Sequence, residues 1–172
     1  MSGKDSTYQE RSVSHKKDNT RCSEYQCDQF FKQREHQFNI IKFGLDERTN
    51  LDILWNNWNK IPQFLRSTPD RIIINKTKKE SFMLECKGCS TTFGLKEDEW
   101  DSYQQWDWIT TKENNLKFYI HNFCGTGEFK FVNISDITEI VNNGDYQFKV
   151  KPKYSQRVME IPFNTIPSVK ID

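Results

Sequence analysis

The chain has 172 residues, enough for one domain with a substantial core and short appendages. Its 13 Phe, 6 Tyr and 5 Trp supply the apolar surface that a modest aliphatic content does not. A net charge of +1 excludes a uniformly basic nucleic-acid binder, so any such surface must come from local clustering, and no run of about 18 apolar residues is present to form a membrane-spanning helix.

The opening stretch MSGKDSTYQERSVSHKK has no apolar segment, so a secretory signal is not expected. A reducing, cytoplasmic setting with five mostly free cysteines is expected instead. The Asn- and Lys-rich, aromatic-heavy usage fits an AT-rich genome, viral genomes included, in which case the compartment is the host cytoplasm. Residues 1–21 are polar and read as a flexible arm, 22–165 as a single domain and 166–172 as a tail. Lys4, Arg11, Lys16, Lys17 and Arg21 on the arm are available to a phosphate backbone.

Residues 22–38 predict a first helix with Ser23 as N-cap and with Glu24 and Asp28 near the positive end of its dipole. Glu24 and Glu35, eleven residues apart, fall on one helix face. Asn39–Gly44 (NIIKFG) predicts a strand closed by glycine. Leu51, Ile53, Leu54, Trp55, Trp58 and Ile61 have helical spacing that stops before Pro62. Two apolar runs, RIII and FML, flank the polar NKTKKE, which predicts a β-hairpin over 69–88. Pairing Asn75 with Glu80 sets Ile74 opposite Ser81, Ile72 opposite Met83 and Asp70 opposite Glu85. Lys87 then shares the face of Glu85, and Cys86 points to the other. Residues 88–94 read as a loop and 97–112 as a helix with Glu97, Asp98 and Glu99 in its first turn. Residues 116–123 and 128–134 alternate as strands, 135–144 is a short helix ending at Gly144, and 145–172 is extended, finishing a sheet edge before trailing off. Strand, crossover helix and strand in succession predict an α/β fold with a central mixed sheet flanked by helices.

Pro69-Asp70 followed by Glu85-Cys86-Lys87, on facing strands, resembles the PD-(D/E)XK signature of metal-dependent nucleases, the superfamily of restriction endonucleases and Holliday-junction resolvases. The resemblance implies a restriction-endonuclease-like core and hydrolysis of phosphodiester bonds in nucleic acid, with DNA endonuclease activity the first expectation. It implies Asp70 and Glu85 as ligands of Mg²⁺ or Mn²⁺, with the Cys86 carbonyl a further oxygen donor. Lys87 would orient the attacking water or offset developing negative charge. It also implies a helix carboxylate near the metal, for which Glu24 is preferred to Glu35 and Glu47, and a glutamine on the second helix, Gln104 before Gln105. Lys96 would add a second positive charge near the phosphate, and Arg66 and Arg71 flank the Asp70 corner as phosphate contacts or plain surface residues. Resolvases act as dimers, so a homodimer is an open expectation.

Two other classes stay in view. A non-cleaving nucleic-acid-binding or assembly module would keep the same fold. Cys86-x-x-Cys89 with Cys22-x4-Cys27 would supply zinc thiolates in an adaptor, although only the first pair has knuckle spacing. His15, His36 and His121 are scattered, and no serine or cysteine triad is legible.

Overall fold

The computed structural model describes residues 23–44, 60–110, 115–124, 127–151 and 156–171. Its centre is a five-stranded sheet in the order β1-β2-β3-β5-β6, formed by β1 (Phe38–Lys42), β2 (Arg71–Asn75), β3 (Glu80–Cys89), β5 (Leu116–Asn122) and β6 (Phe129–Asn133). The hairpin of β2 and β3 has the expected register, with Asn75 opposite Glu80, Ile74 opposite Ser81 and Ile72 opposite Met83. β3 and β5 run parallel, and the other described neighbours are antiparallel, so the sheet is mixed as expected.

Alternation along these strands creates two apolar faces. One carries Ile73, Leu84, Cys86, Tyr119 and Phe131 and is covered by Cys27 and Phe31 of α1, whose described helical residues are 23–32. The other carries Met83, Leu116, Phe118, Ile120 and Val132. It packs against Trp100 and Tyr103 of α3 (Glu97–Ile109) and Ile137 of α4 (Ile134–Asn143), the short α2 being Gln63–Arg66. This second face also receives Phe93, Leu95, Met159 and Ile161 from a smaller antiparallel sheet. The smaller sheet has the order β4-β8-β7, with β4 at Thr92–Lys96, β7 at Lys149–Lys151 and β8 at Gln156–Pro162.

Several sequence expectations are corrected. The first helix does not run to 38. It gives way to successive turns at 33–37, because Phe38 is claimed by pairing with Asn75 and is 2% exposed. Glu35 therefore sits in a turn and shares no helix face with Glu24. Residues 88–94 are not a loop: β3 continues to Cys89, and Thr92 begins β4, where Phe93 and Leu95 alternate inward. Residues 145–172 do not finish the main sheet but supply β7 and β8 of the second one. The final segment does not trail off, since the Val169 N–H donates to the Phe131 carbonyl at 2.7 Å and Val169 and Ile171 pack on the α1-side core. The helix expected before Pro62 lies largely outside the described residues, as do the N-terminal arm and Glu47. Gly144 ends α4 as expected, at φ 72°, a left-handed conformation that costs glycine little. Among the described residues no helix is long and apolar enough to cross a membrane.

Candidate active site

Asp70 lies one residue before β2, and its backbone is held from three directions. Its carbonyl accepts hydrogen bonds from Phe43 N–H at 2.9 Å, Gly44 N–H at 3.3 Å and Arg71 Nη1 at 2.9 Å. A Cβ at Gly44 would come within 3.3 Å of the Asp70 Cα, so any larger residue would have to push these two segments apart by a few tenths of an ångström. The carboxylate turns toward β3, where Oδ2 accepts the Cys86 N–H at 2.7 Å. Continuing the hairpin register one step past Arg71–Leu84 puts Asp70 opposite Glu85.

Glu85 is buried among the apolar residues beneath α3, where an isolated charge would be costly. Two donors meet its Oε1: the Tyr103 hydroxyl at 2.7 Å and the Lys87 ammonium at 3.0 Å. Lys87 also binds Glu99 Oε2 at 3.1 Å, and the other Glu99 oxygen is bound by Lys96. Glu99 and Tyr103 are one helical turn apart on α3, so a single helix face supplies both contacts to the β3 end.

Charge state follows from these neighbours. Burial, then the charges of Glu85 and Glu24, push the Asp70 carboxyl well above the usual range, and the Cys86 N–H and Lys87 only partly oppose this. Burial also raises Glu85 against the pull of Lys87 and Tyr103. Burial alone would lower the Lys87 ammonium, but Glu99, Tyr103 and Glu85 outweigh it and hold it above the ordinary lysine range. Burial would likewise raise Glu99, yet Lys87 and Lys96 bring it down to about 2. The corner thus contains a fixed cation beside two crowded carboxyl groups that resist sharing charge.

The remaining sequence candidates distribute as follows. Glu24 on α1 binds Arg71 Nη2 at 2.9 Å and is near enough to Asp70 to raise its pKa. Glu35 is exposed in the 33–37 turn. Gln104 and Gln105 are both exposed on α3, and Tyr103 holds the inward position that Gln104 was expected to share. Arg71 is neither a phosphate contact nor a surface residue: it is 4% exposed and bound to Glu24 and Asp28. Cys86 and Cys89 belong to the cores on opposite sides of the sheet, so they cannot converge on one zinc ion. The Cys86 thiol faces Cys27, and that hydrogen bond together with burial pushes its pKa up. Cys22 and His15 lie outside the described residues, His36 is exposed, and His121 is buried against the Tyr119 hydroxyl. Glu99 and Tyr103 were missed as site residues. Their signal was an acid and a tyrosine four apart on the helix that follows the Glu-x-Lys strand.

Tyr103 positions Glu85, and Tyr103→Phe keeps the ring edge-on to Phe118 while deleting the hydroxyl. Since that hydroxyl stabilises the ionised carboxylate, the variant's Glu85 should be harder to ionise. Any Glu85-dependent activity is expected to fall roughly tenfold at neutral pH and to recover as pH rises. A uniform loss at every pH would indicate a packing defect instead.

No family model matches the chain, and no curated protein matches it. Among solved structures it is similar to Hjc of Archaeoglobus fulgidus, a Holliday junction resolvase from an archaeal hyperthermophile, at 11% identity and a TM-score of 0.45 over 84% of this chain and 89% of that one.

Proposed function

We propose that the chain is a divalent-metal-dependent nuclease that hydrolyses phosphodiester bonds, with DNA cut internally as the preferred reading. The observation that carries it is the corner itself: the crowded Asp70 and Glu85 carboxyls beside a lysine that stays protonated.

The donor chemistry fits a hard cation. Asp70 Oδ2 and Glu85 Oε1 are taken by internal donors, which among the described residues leaves one oxygen of each side chain for a ligand. A strand residue points its N–H and C=O to the same side, so the Cys86 carbonyl faces the Asp70 side, where β2 has ended. Among the described residues no group of three or more His, Cys, Asp or Glu side chains is gathered for a metal. Mg²⁺ suits such a sparse site, because it keeps several waters and is commonly held through one or two carboxylates. Bound Mg²⁺ or Mn²⁺ would polarise the scissile phosphate and acidify a water. Asp70 and Glu85 would hold the ion and Lys87 as an ammonium would offset negative charge building on the phosphate, while Glu99, itself bound by Lys96, holds Lys87 in place. Glu24 and Gln104 are not assigned first contacts: the former is committed to Arg71 and the latter faces solvent. The direct Lys87–Glu85 ion pair favours a second reading, a nucleic-acid-binding module that no longer cuts.

A substrate panel decides between them: single-stranded, duplex, nicked, flap and four-way DNA, and RNA, each with Mg²⁺, Mn²⁺ or chelator. Divalent-dependent cleavage is the expected result, and binding without cleavage under every condition would leave the second reading. The pH dependence has a defined sign. Because the folded-state pKa values of Asp70 and Glu85 are raised, the contribution of these two carboxyls to metal-free stability is full below the ordinary carboxylate range near pH 4 and is lost as pH rises through the elevated values. Metal binding needs the ionised forms, so stabilisation by Mn²⁺ and the cleavage rate should both grow over the same rise in pH.

A further inference from the structure

The small sheet turns Phe93, Leu95, Met159 and Ile161 to the core and its other face outward. On that outer face the register aligns Lys96 of β4, Val158 of β8 and Lys149 of β7 in one cross-strand row, with Lys151 two residues along β7. Strand spacing puts Lys96 and Lys149 about 10 Å apart at the backbone, and Lys149 and Lys151 about 7 Å apart. Gly94 leaves room at the middle of the face, since a Cβ there would meet only Val158 within 4 Å, at 3.8 Å. Lys149, Lys151, Val158 and Glu160 line a groove of about 290 Å³ together with Asp145 and Tyr146. Lys151 pairs with Glu160 at 2.8 Å, whereas Lys149 has no acidic partner among the described residues. The row ends at the candidate site, because Lys96 binds the same Glu99 that holds Lys87.

We propose that this outer face is a phosphate-backbone track that carries nucleic acid up to the Asp70–Glu85 corner, with Lys149 and Lys151 contacting phosphates and Lys96 marking the entry. The proposal rests on the nuclease reading for the direction of the track. Lysines two residues apart along a strand, on a groove open to solvent, suit a regularly charged polymer, and their approach to the corner selects a polymer of phosphodiesters. Glu160 limits affinity by occupying Lys151.

The test uses the full chain, with chelator present so that cutting does not intervene, and labelled single-stranded and duplex DNA and RNA titrated over a range of salt. Lys149→Gln with Lys151→Gln is expected to lower the slope of log affinity against log salt by about 2 and to weaken binding at least about tenfold at 0.1 M salt. Lys32→Gln with Lys78→Gln removes the same charge from α1 and the β2–β3 turn and should leave binding within about twofold. Glu160→Gln should tighten binding severalfold. Equal losses in the two double variants, or no loss in either, would overturn the track, as would polyglutamate binding as tightly as DNA, which would assign the face to an acidic protein partner. Wild-type binding that depends on Lys149 and Lys151 without any divalent-dependent cleavage would overturn the nuclease reading alone. Cleavage indifferent to both lysines would overturn the track alone.

Discussion

Asp70→Asn is expected to reduce divalent-dependent cleavage by at least about 1000-fold, a loss equivalent to roughly 4 kcal/mol of transition-state stabilisation, while the metal-free protein becomes more stable. The substitution is nearly isosteric, and an Asn Oδ1 still accepts the Cys86 N–H that the carboxylate now holds at 2.7 Å. What disappears is the negative charge, which burial, Glu85 and Glu24 all disfavour at this position. Relief of that crowding by about 1 kcal/mol would raise the melting temperature about 2–4 °C for a chain of this size. Opposite signs for stability and activity mark a group kept for chemistry against the interest of the fold. Glu85→Gln should lose activity as fully, with a smaller gain in stability, because Lys87 and Tyr103 already support its charge. Melting curves without metal and cleavage rates with Mn²⁺ decide the matter. An Asp70→Asn protein that cuts at the wild-type rate, or one that melts lower and binds Mn²⁺ unchanged, would reduce Asp70 to a structural anchor for β3.

The hairpin was the most legible part of the molecule. RIII and FML are of strand length, rich in β-branched or aromatic residues and bounded by turn-formers, and pairing Asn75 with Glu80 across the polar NKTKKE gives the register observed from Arg71–Leu84 to Asn75–Glu80. From that register the convergence of Asp70, Glu85 and Lys87 follows without further information. The second sheet was not legible, because β4 is five residues long with a glycine at its centre and its partner β8 begins sixty residues downstream. Local composition says turn there, and only the long-range pairing makes it a strand. The helix contribution was half legible. Glu99 was readable as a residue suited to a helix N-terminus and Tyr103 as packing, and both descriptions hold, yet neither reveals that one face meets Lys87 and Glu85. Arg71 was misread for a similar reason: an arginine beside an aspartate suggests solvent, and its burial depends on carboxylates 47 and 43 residues earlier.

Arg71→Ala should be the most destabilising single substitution at this site, at about 3 kcal/mol and a fall in melting temperature of roughly 6–12 °C. The guanidinium is buried and bidentate to Asp28, at 2.9 and 3.2 Å, with Glu24 at 2.9 Å and the Asp70 carbonyl at 2.9 Å as further acceptors. Removing it leaves three acidic side chains around a corner with no cation between α1 and β2. Water reaches Glu24 and Asp28, whose side chains are 23% and 32% exposed, and that recovery keeps the cost at the low end of the range for broken buried pairs. The penalty comes from stranded charge more than from a lost attraction, so Arg71→Leu with Asp28→Leu should be more stable than Arg71→Leu alone, with a coupling of about 1.5 kcal/mol or more. Arg71→Lys should rescue little, because an ammonium cannot span Asp28, Glu24 and the Asp70 carbonyl together. Activity should fall in every Arg71 variant even well below its melting temperature, since the Asp70 carbonyl then loses one of the donors that aim its carboxylate at β3. Denaturant titrations of the four proteins in the cycle supply the coupling. A cost under about 1 kcal/mol for Arg71→Ala, the value typical of a solvated surface pair, would mean that α1 is held to the sheet by its apolar face alone and that Arg71 has no part in placing Asp70.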